Sequence, residues 1–158
     1  MNASTDTDRI ERIERSIDMK APRARGWRAL ADTTEFGGWF GVNLASQAFV
    51  PGKQVRGHIT HPGYEHLRFE ALVERVEAER LLSFYWHPYG IDPKVDYTQE
   101  EPTLVTFTLQ DTADGGTRLT VVEAGFDKVP AARREEAFRM NSQGWDAQVG
   151  NIARHVGG

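Results

Sequence analysis

The chain has no cysteine, so a disulfide framework, a thiolate nucleophile and a cysteine-ligated metal are excluded. No apolar run approaches the roughly 18 residues of a membrane span, and no membrane partner is expected. Positive charge is not in excess: 19 Lys and Arg face 23 Asp and Glu, a net charge of −4, which speaks against nucleic acid as a partner. The opening stretch Asn2–Asp8 is polar and acidic, without the basic start and apolar core of a signal peptide. A cytoplasmic location is therefore expected, with residues 1–8 as a disordered tail and residues 9–158 as one domain. Nucleophile elbows and phosphate-binding glycine loops are missing as well. Gly37-Gly38 and Gly115-Gly116 read as turns, and the hydroxyls of Ser83, Thr120 and Ser142 have no evident base beside them. Neither covalent catalysis nor a cofactor is indicated, so a binding role is expected before an enzymatic one.

What the chain does have is aromatic: eight Phe, four Tyr and four Trp. It also has one long amphipathic segment, Pro130 to about Val156. There Phe138, Trp145, Val149, Ile152 and Val156 recur at helical spacing, and the stretch ends in Gly157-Gly158. Asn141 and Ser142 share that stripe. Gly144 interrupts it, at a cost of about 1 kcal/mol in helix propensity, and is expected to admit a close neighbour.

The remainder reads mainly as strands. Arg9–Lys20 alternates charged and apolar residues and stops at Ala21-Pro22, since proline holds the residue before it extended. Two short helices follow, Pro22–Ala31 and Glu35–Phe40, the second capped by Asp32-Thr33-Thr34. Six strands are then expected, over 42–50, 53–60, 67–73, 81–87, 103–110 and 118–126. Pro51-Gly52 and Asp114-Gly115-Gly116 supply turns among them. Pro88–Pro102 is the longest irregular stretch and is expected to lie across a cavity mouth. This order predicts an α+β fold, a curved antiparallel sheet wrapped around the last helix, with the first strand paired to the last. The stretch Val42–Val50 would form an open edge able to pair in a homodimer.

Several segments carry a family resemblance: Arg15 with Ala21-Pro22, Trp27-Arg28-Ala29-Leu30, Trp39-Phe40-Gly41, Phe84-Tyr85-Trp86-His87-Pro88, Val121–Asp127 and Asn141-Ser142-Gln143-Gly144-Trp145. Over residues 9–156 the chain resembles the domain named after the activator of the Hsp90 ATPase. That domain is a bacterial SRPBCC group of the START/Bet v 1-like superfamily. The resemblance implies the helix-grip fold and a cavity between helix and sheet. Its relatives include lipid carriers, hormone receptors and polyketide aromatase/cyclases, and the family name adds a chaperone as a partner.

Such a cavity would be lined by Trp39, Phe40, Phe69, Phe84, Tyr85, Trp86, Phe107, Glu123, Phe138, Asn141, Ser142 and Trp145. Aromatic walls with a few polar groups suit a small apolar or aromatic ligand. Arg15 and Glu123 both fall on the apolar phase of their strands, and a buried ion pair between them is expected because an isolated buried charge is costly. Were the protein an enzyme of the cyclase kind, Glu123 or His87 would move the proton. His58, His61 and His66 surround one loop, but their spacing makes no recognisable metal motif, and no metal is expected.

Overall fold

The computed structural model describes residues 12–157, so the expected tail at 1–8 and the start of the first strand lie outside the described residues. β1 spans Arg12–Met19. Helices α1 (Arg23–Ala31) and α2 (Thr33–Phe40) follow, then β2 (Gln54–His58), β3 (Arg68–Glu77), β4 (Leu81–Trp86), β5 (Thr103–Asp111), β6 (Thr117–Ala124) and α3 (Ala131–His155). The strands form one antiparallel sheet in the order β1-β6-β5-β4-β3-β2, so the first strand does pair with the last. At about 1.5 Å per residue, the 25 residues of α3 give an axis of roughly 38 Å, long enough to cross the sheet.

Alternation sets the inner face. Ile13 and Met19, Phe69, Ala71 and Val73, Leu82 and Phe84, Val105, Phe107 and Leu109, and Leu119 and Val121 all point into the core and are buried. α3 contributes Ala137, Trp145, Ile152 and Ala153 to the same core. Burying a large apolar side chain stabilises the fold by about 1.5–3 kcal/mol, so this interface is the main source of stability. Phe36 of α2 is its hub, with Trp39, Phe40, Phe49, Phe69, Phe84 and Phe107 within 6.4 Å between ring centroids.

The short helices seal one side of this core. Asp32 caps α2 by accepting from the Glu35 amide at 3.0 Å, and Gly41 ends it in the left-handed region at φ 96°. Glu35 then accepts from Arg25 and Arg28 of α1, each at 2.8 Å, and lies 2.8 Å from His155 at the far end of α3. One carboxylate thus ties the three helices together. Burial pushes its pKa up, but the hydrogen bonds from His155, Arg25 and Arg28 win and hold it below the ordinary Glu range.

The expected strand over 42–50 does not form. Only Val42 bridges to Ile59, and the rest of the stretch is turn and irregular backbone, with Ser46 at φ 66°. Val42, Leu44 and Phe49 are buried instead as loop plugs. Glycine permits this. A Cβ on Gly37 would sit 2.1 Å from the Val42 carbonyl oxygen, and one on Gly57 would sit 2.0 Å from that of Asn43.

The stretch is not an open edge either. The Gln47 side chain acts as a short mock strand beside β2, donating to the Arg56 carbonyl at 2.7 Å and accepting from the Arg56 amide at 2.9 Å. Thr33 holds the Gln47 carbonyl at 2.8 Å. Filling an edge strand's free groups in this way protects it from pairing with another chain.

Candidate functional site

The polar centre of the molecule is Glu123, fully buried on the inner face of β6. Arg15 is not its partner. The register sets Ile13 opposite Glu123 and Arg15 opposite Val121, and the Arg15 guanidinium turns to Asp146 on α3 at 2.6 Å. On an edge strand a long side chain reaches solvent more cheaply than it can enter the core.

Neutral donors hold the carboxylate instead. Asn141 Nδ2 and Trp145 Nε1 donate to Oε1 at 2.9 and 2.8 Å. Thr103 Oγ1 and Trp86 Nε1 donate to Oε2 at 2.6 and 2.7 Å, and Asn141 Nδ2 lies 3.2 Å from the same oxygen. Sequence position explains the cluster. β4, β5 and β6 are neighbours, and each supplies one inward residue near the same end of the sheet. Asn141 and Trp145 are four apart on α3 and so share a face. Indole and amide N–H groups can only donate, which matches them to an acceptor at both oxygens. A buried carboxylate is tolerated when its hydrogen bonds are made, and here they are.

This cluster underlies a cleft. β3 and β4 pair only as far as Leu72↔Tyr85, although β3 begins at Arg68 and β4 runs to Trp86. Beyond that point the strands part. The gap opens into a cavity of about 210 Å³ walled by Phe40, Ile59, Phe69, Trp86, Tyr89 and Asn141. A shallower hollow beside it is bounded by Phe40, Trp86, Asn141, Gly144, Trp145 and Gln148. Towards solvent the cleft widens by a further 400 Å³ or so under the loop after β4, among Arg68, Glu70, His87, Asp96 and Tyr97. The rings of Phe40, Phe69, Trp86 and Trp145 lie 5.3–6.3 Å from one another where they meet.

The loop over the outer compartment is pinned from α3. Arg133 donates to the Pro88 carbonyl at 2.7 Å, makes a paired contact with Glu100 at 3.0 and 3.1 Å, and stacks its guanidinium 4.8 Å from the centre of the Tyr97 ring. His87 begins this loop. Its Nδ1 is buried without a hydrogen-bond partner among the described residues. Burial pushes its pKa below the ordinary histidine value, outweighing the pull of the Glu100 carboxylate, and Arg133 pushes it the same way.

The residues predicted to line the cavity therefore divide. Phe40, Phe69, Trp86, Asn141 and Trp145 meet at the cleft, with Glu123 behind them. Phe84 and Phe107 are sealed core, and Trp39 spends its indole N–H on the Ala29 carbonyl at 2.8 Å. Tyr85 lies on the other face of β4 and donates to Glu74 at 3.0 Å, which raises its pKa. Phe138 packs 5.2 Å from Phe126, away from the cleft, and Ser142 borders none of the cavities described above. Gly144 admits no close neighbour, since a Cβ there would meet nothing within 4 Å. Sequence reasoning missed Thr103, Ile59 and Tyr89. Thr103 does open a strand on its apolar phase, ahead of Val105 and Phe107, which is the same signal that singled out Glu123.

Comparison with known proteins agrees with this architecture. The family model described as activator of Hsp90 ATPase homolog 1-like protein matches residues 20–157. The chain belongs to this family. Among solved structures it resembles MLL2253 from Mesorhizobium loti, at 22% identity over 91% of this chain and 95% of that one, with a TM-score of 0.69. A protein from Arthrobacter aurescens gives 15% identity over 93% and 86%, with a TM-score of 0.73. DynU16, from the dynemicin biosynthetic locus, gives 24% identity and a TM-score of 0.67 over 91% of this chain. The chain spans only 46% of DynU16. At these identities the likeness shows the fold, the helix-grip architecture, and no more. No curated protein matches the chain. Among the described residues no helix is long and apolar enough to cross a membrane.

Proposed function

We propose that this protein binds a small aromatic molecule in the cleft where β3 and β4 part, between α2 and α3. One observation carries the reading. A fully buried carboxylate is devoted to holding Trp86, Asn141 and Trp145, and all three border the cleft. Burying a charge to orient three side chains at an opening costs stability that a merely filled core would not need to spend. The inner cavity is smaller than the ~300–1,000 Å³ of drug-sized ligand sites, so it suits one or two rings. Binding would be burial against Phe40, Phe69 and Trp86, with Asn141 setting orientation.

The proton-transfer reading is less well supported. Glu123 has every accessible lone-pair direction occupied by a donor, which leaves only His87, bordering both the inner cavity and the outer compartment, as a candidate of the two. A titration of intrinsic tryptophan fluorescence with one- and two-ring aromatics tests the proposal. Saturable quenching that disappears in Trp86→Ala supports it. A flat response, with no thermal shift, contradicts it.

A further inference from the structure

The Glu123 cluster also determines what kind of polar group the cleft presents. Both indole N–H groups, the Thr103 hydroxyl and the Asn141 amide nitrogen are turned inward to the carboxylate. An Asn amide can ordinarily present either end outward, because the two are nearly isosteric. Here it cannot. Rotating it would bring Oδ1 against the carboxylate, acceptor against acceptor, while Nδ2 now lies 2.9 and 3.2 Å from its two oxygens. Oδ1 is thereby left as the outward polar atom of a side chain that lines both the inner cavity and the hollow beside it, and no donor among the described residues reaches it.

The floor therefore offers an acceptor backed by a carboxylate, and its donors are already used. Arg68, Glu70, His87 and Tyr89 also line the cavity, with Arg68 and Glu70 of opposite sign, so the selection concerns the ligand group that reaches the Asn141 floor. We infer that the cleft selects aromatic molecules carrying a hydrogen-bond donor, such as a phenolic hydroxyl or an aryl amine, and rejects aromatic carboxylates and acceptor-only ethers. Asn141 is the residue that makes the distinction, and Glu123 is a positioning residue acting through it. This deepens the proposed aromatic site and rests on it. A lone acceptor facing a ligand without a donor would lose its water and gain nothing, and a carboxylate would also meet the negative field of Glu123.

Three probes of one skeleton test this: 2-naphthol, 2-methoxynaphthalene and 2-naphthoate, titrated calorimetrically against the intact protein. The expected result is that naphthol binds about tenfold more tightly than the ether, as one additional hydrogen bond would give, and that naphthoate binds most weakly. Asn141→Leu should bring naphthol and the ether to equal affinity. Glu123→Gln should narrow their gap too, because a glutamine amide can accept from Asn141 as it stands or donate to the oxygen of a reversed Asn141. If the ether or naphthoate binds as well as naphthol to the unaltered protein, donor selection is overturned while the aromatic site stands. A naphthol preference that survives unchanged in both folded variants also overturns it. If none of the three binds, the aromatic site itself fails, and the selection with it.

Discussion

The two ends of the helix–sheet interface are built from the same kind of residue and finish differently. At the closed end Phe36, Phe84, Phe107, Leu82 and Leu119 are fully buried within the apolar core. At the open end Phe40, Trp86 and Tyr89 remain partly exposed around a cavity, with a polar cluster behind them. What separates the two is strand pairing. β4 has β5 and β3 on both sides as far as Tyr85, and only β5 at Trp86. Where neighbours are complete, aromatic rings fill the space. Where one strand leaves, the same rings become walls, and hydrogen bonds replace packing as the means of holding them.

The largest effect should come from breaking the closed end. Phe107→Ala should cost about 3–5 kcal/mol, seen as a fall in the denaturant midpoint, with little change in affinity per folded molecule. Breaking the open end should do the reverse. Glu123→Leu leaves two indoles and an amide without their acceptor and should cost about 1–3 kcal/mol, while affinity for an aromatic ligand falls much further. If both variants lose stability and affinity in the same proportion, the distinction between the ends is wrong. Arg133→Ala should be milder still, freeing the loop over the outer compartment. Its signature is faster amide exchange at residues 88–100 with the midpoint nearly unchanged.

The smallest effect is one of pH. Because His87 binds its proton less readily when folded than the ordinary value of 6.5, the unfolded chain takes up that proton first as pH falls. Its contribution to stability is therefore complete above about pH 6.5 and declines as pH drops below it. Unfolding curves for the parent and His87→Gln should converge as pH goes from 7 to 5. Parallel curves would show that His87 is not held in this way. Glu35 acts lower on the scale. Its depressed pKa stabilises the folded state above the ordinary carboxylate range, and this is lost as pH falls through the folded value.

Much of this arrangement was legible in the order of the residues. Period-two alternation marks the inward phase of β3, β5 and β6, and with it Phe69, Phe107 and Glu123, whereas β4 is rich in apolar residues on both faces. Helical spacing identified α3 and put Asn141 beside Trp145. The same alternation already set Tyr85 on the opposite face from Trp86, so its placement in the cavity went against the period. What alternation cannot provide is register. That Glu123 meets Trp86, Thr103 and Asn141, and not Arg15, depends on how far each strand slides against its neighbour. The parting of β3 and β4 is likewise a fact about two strands at once. Over 42–50, apolar residues fill gaps between other elements, and a side-chain amide stands in for a strand partner, which no local pattern signals.

The most direct test uses the four indole N–H groups as separate reporters. In a nitrogen–proton correlation spectrum, adding 2-naphthol should move the indole signals of Trp86 and Trp145, whose hydrogen bonds to Glu123 lie beneath the cleft, and leave those of Trp27 and Trp39 in place. Movement of Trp39 or Trp27 with Trp86 and Trp145 unchanged would contradict the account and locate binding elsewhere.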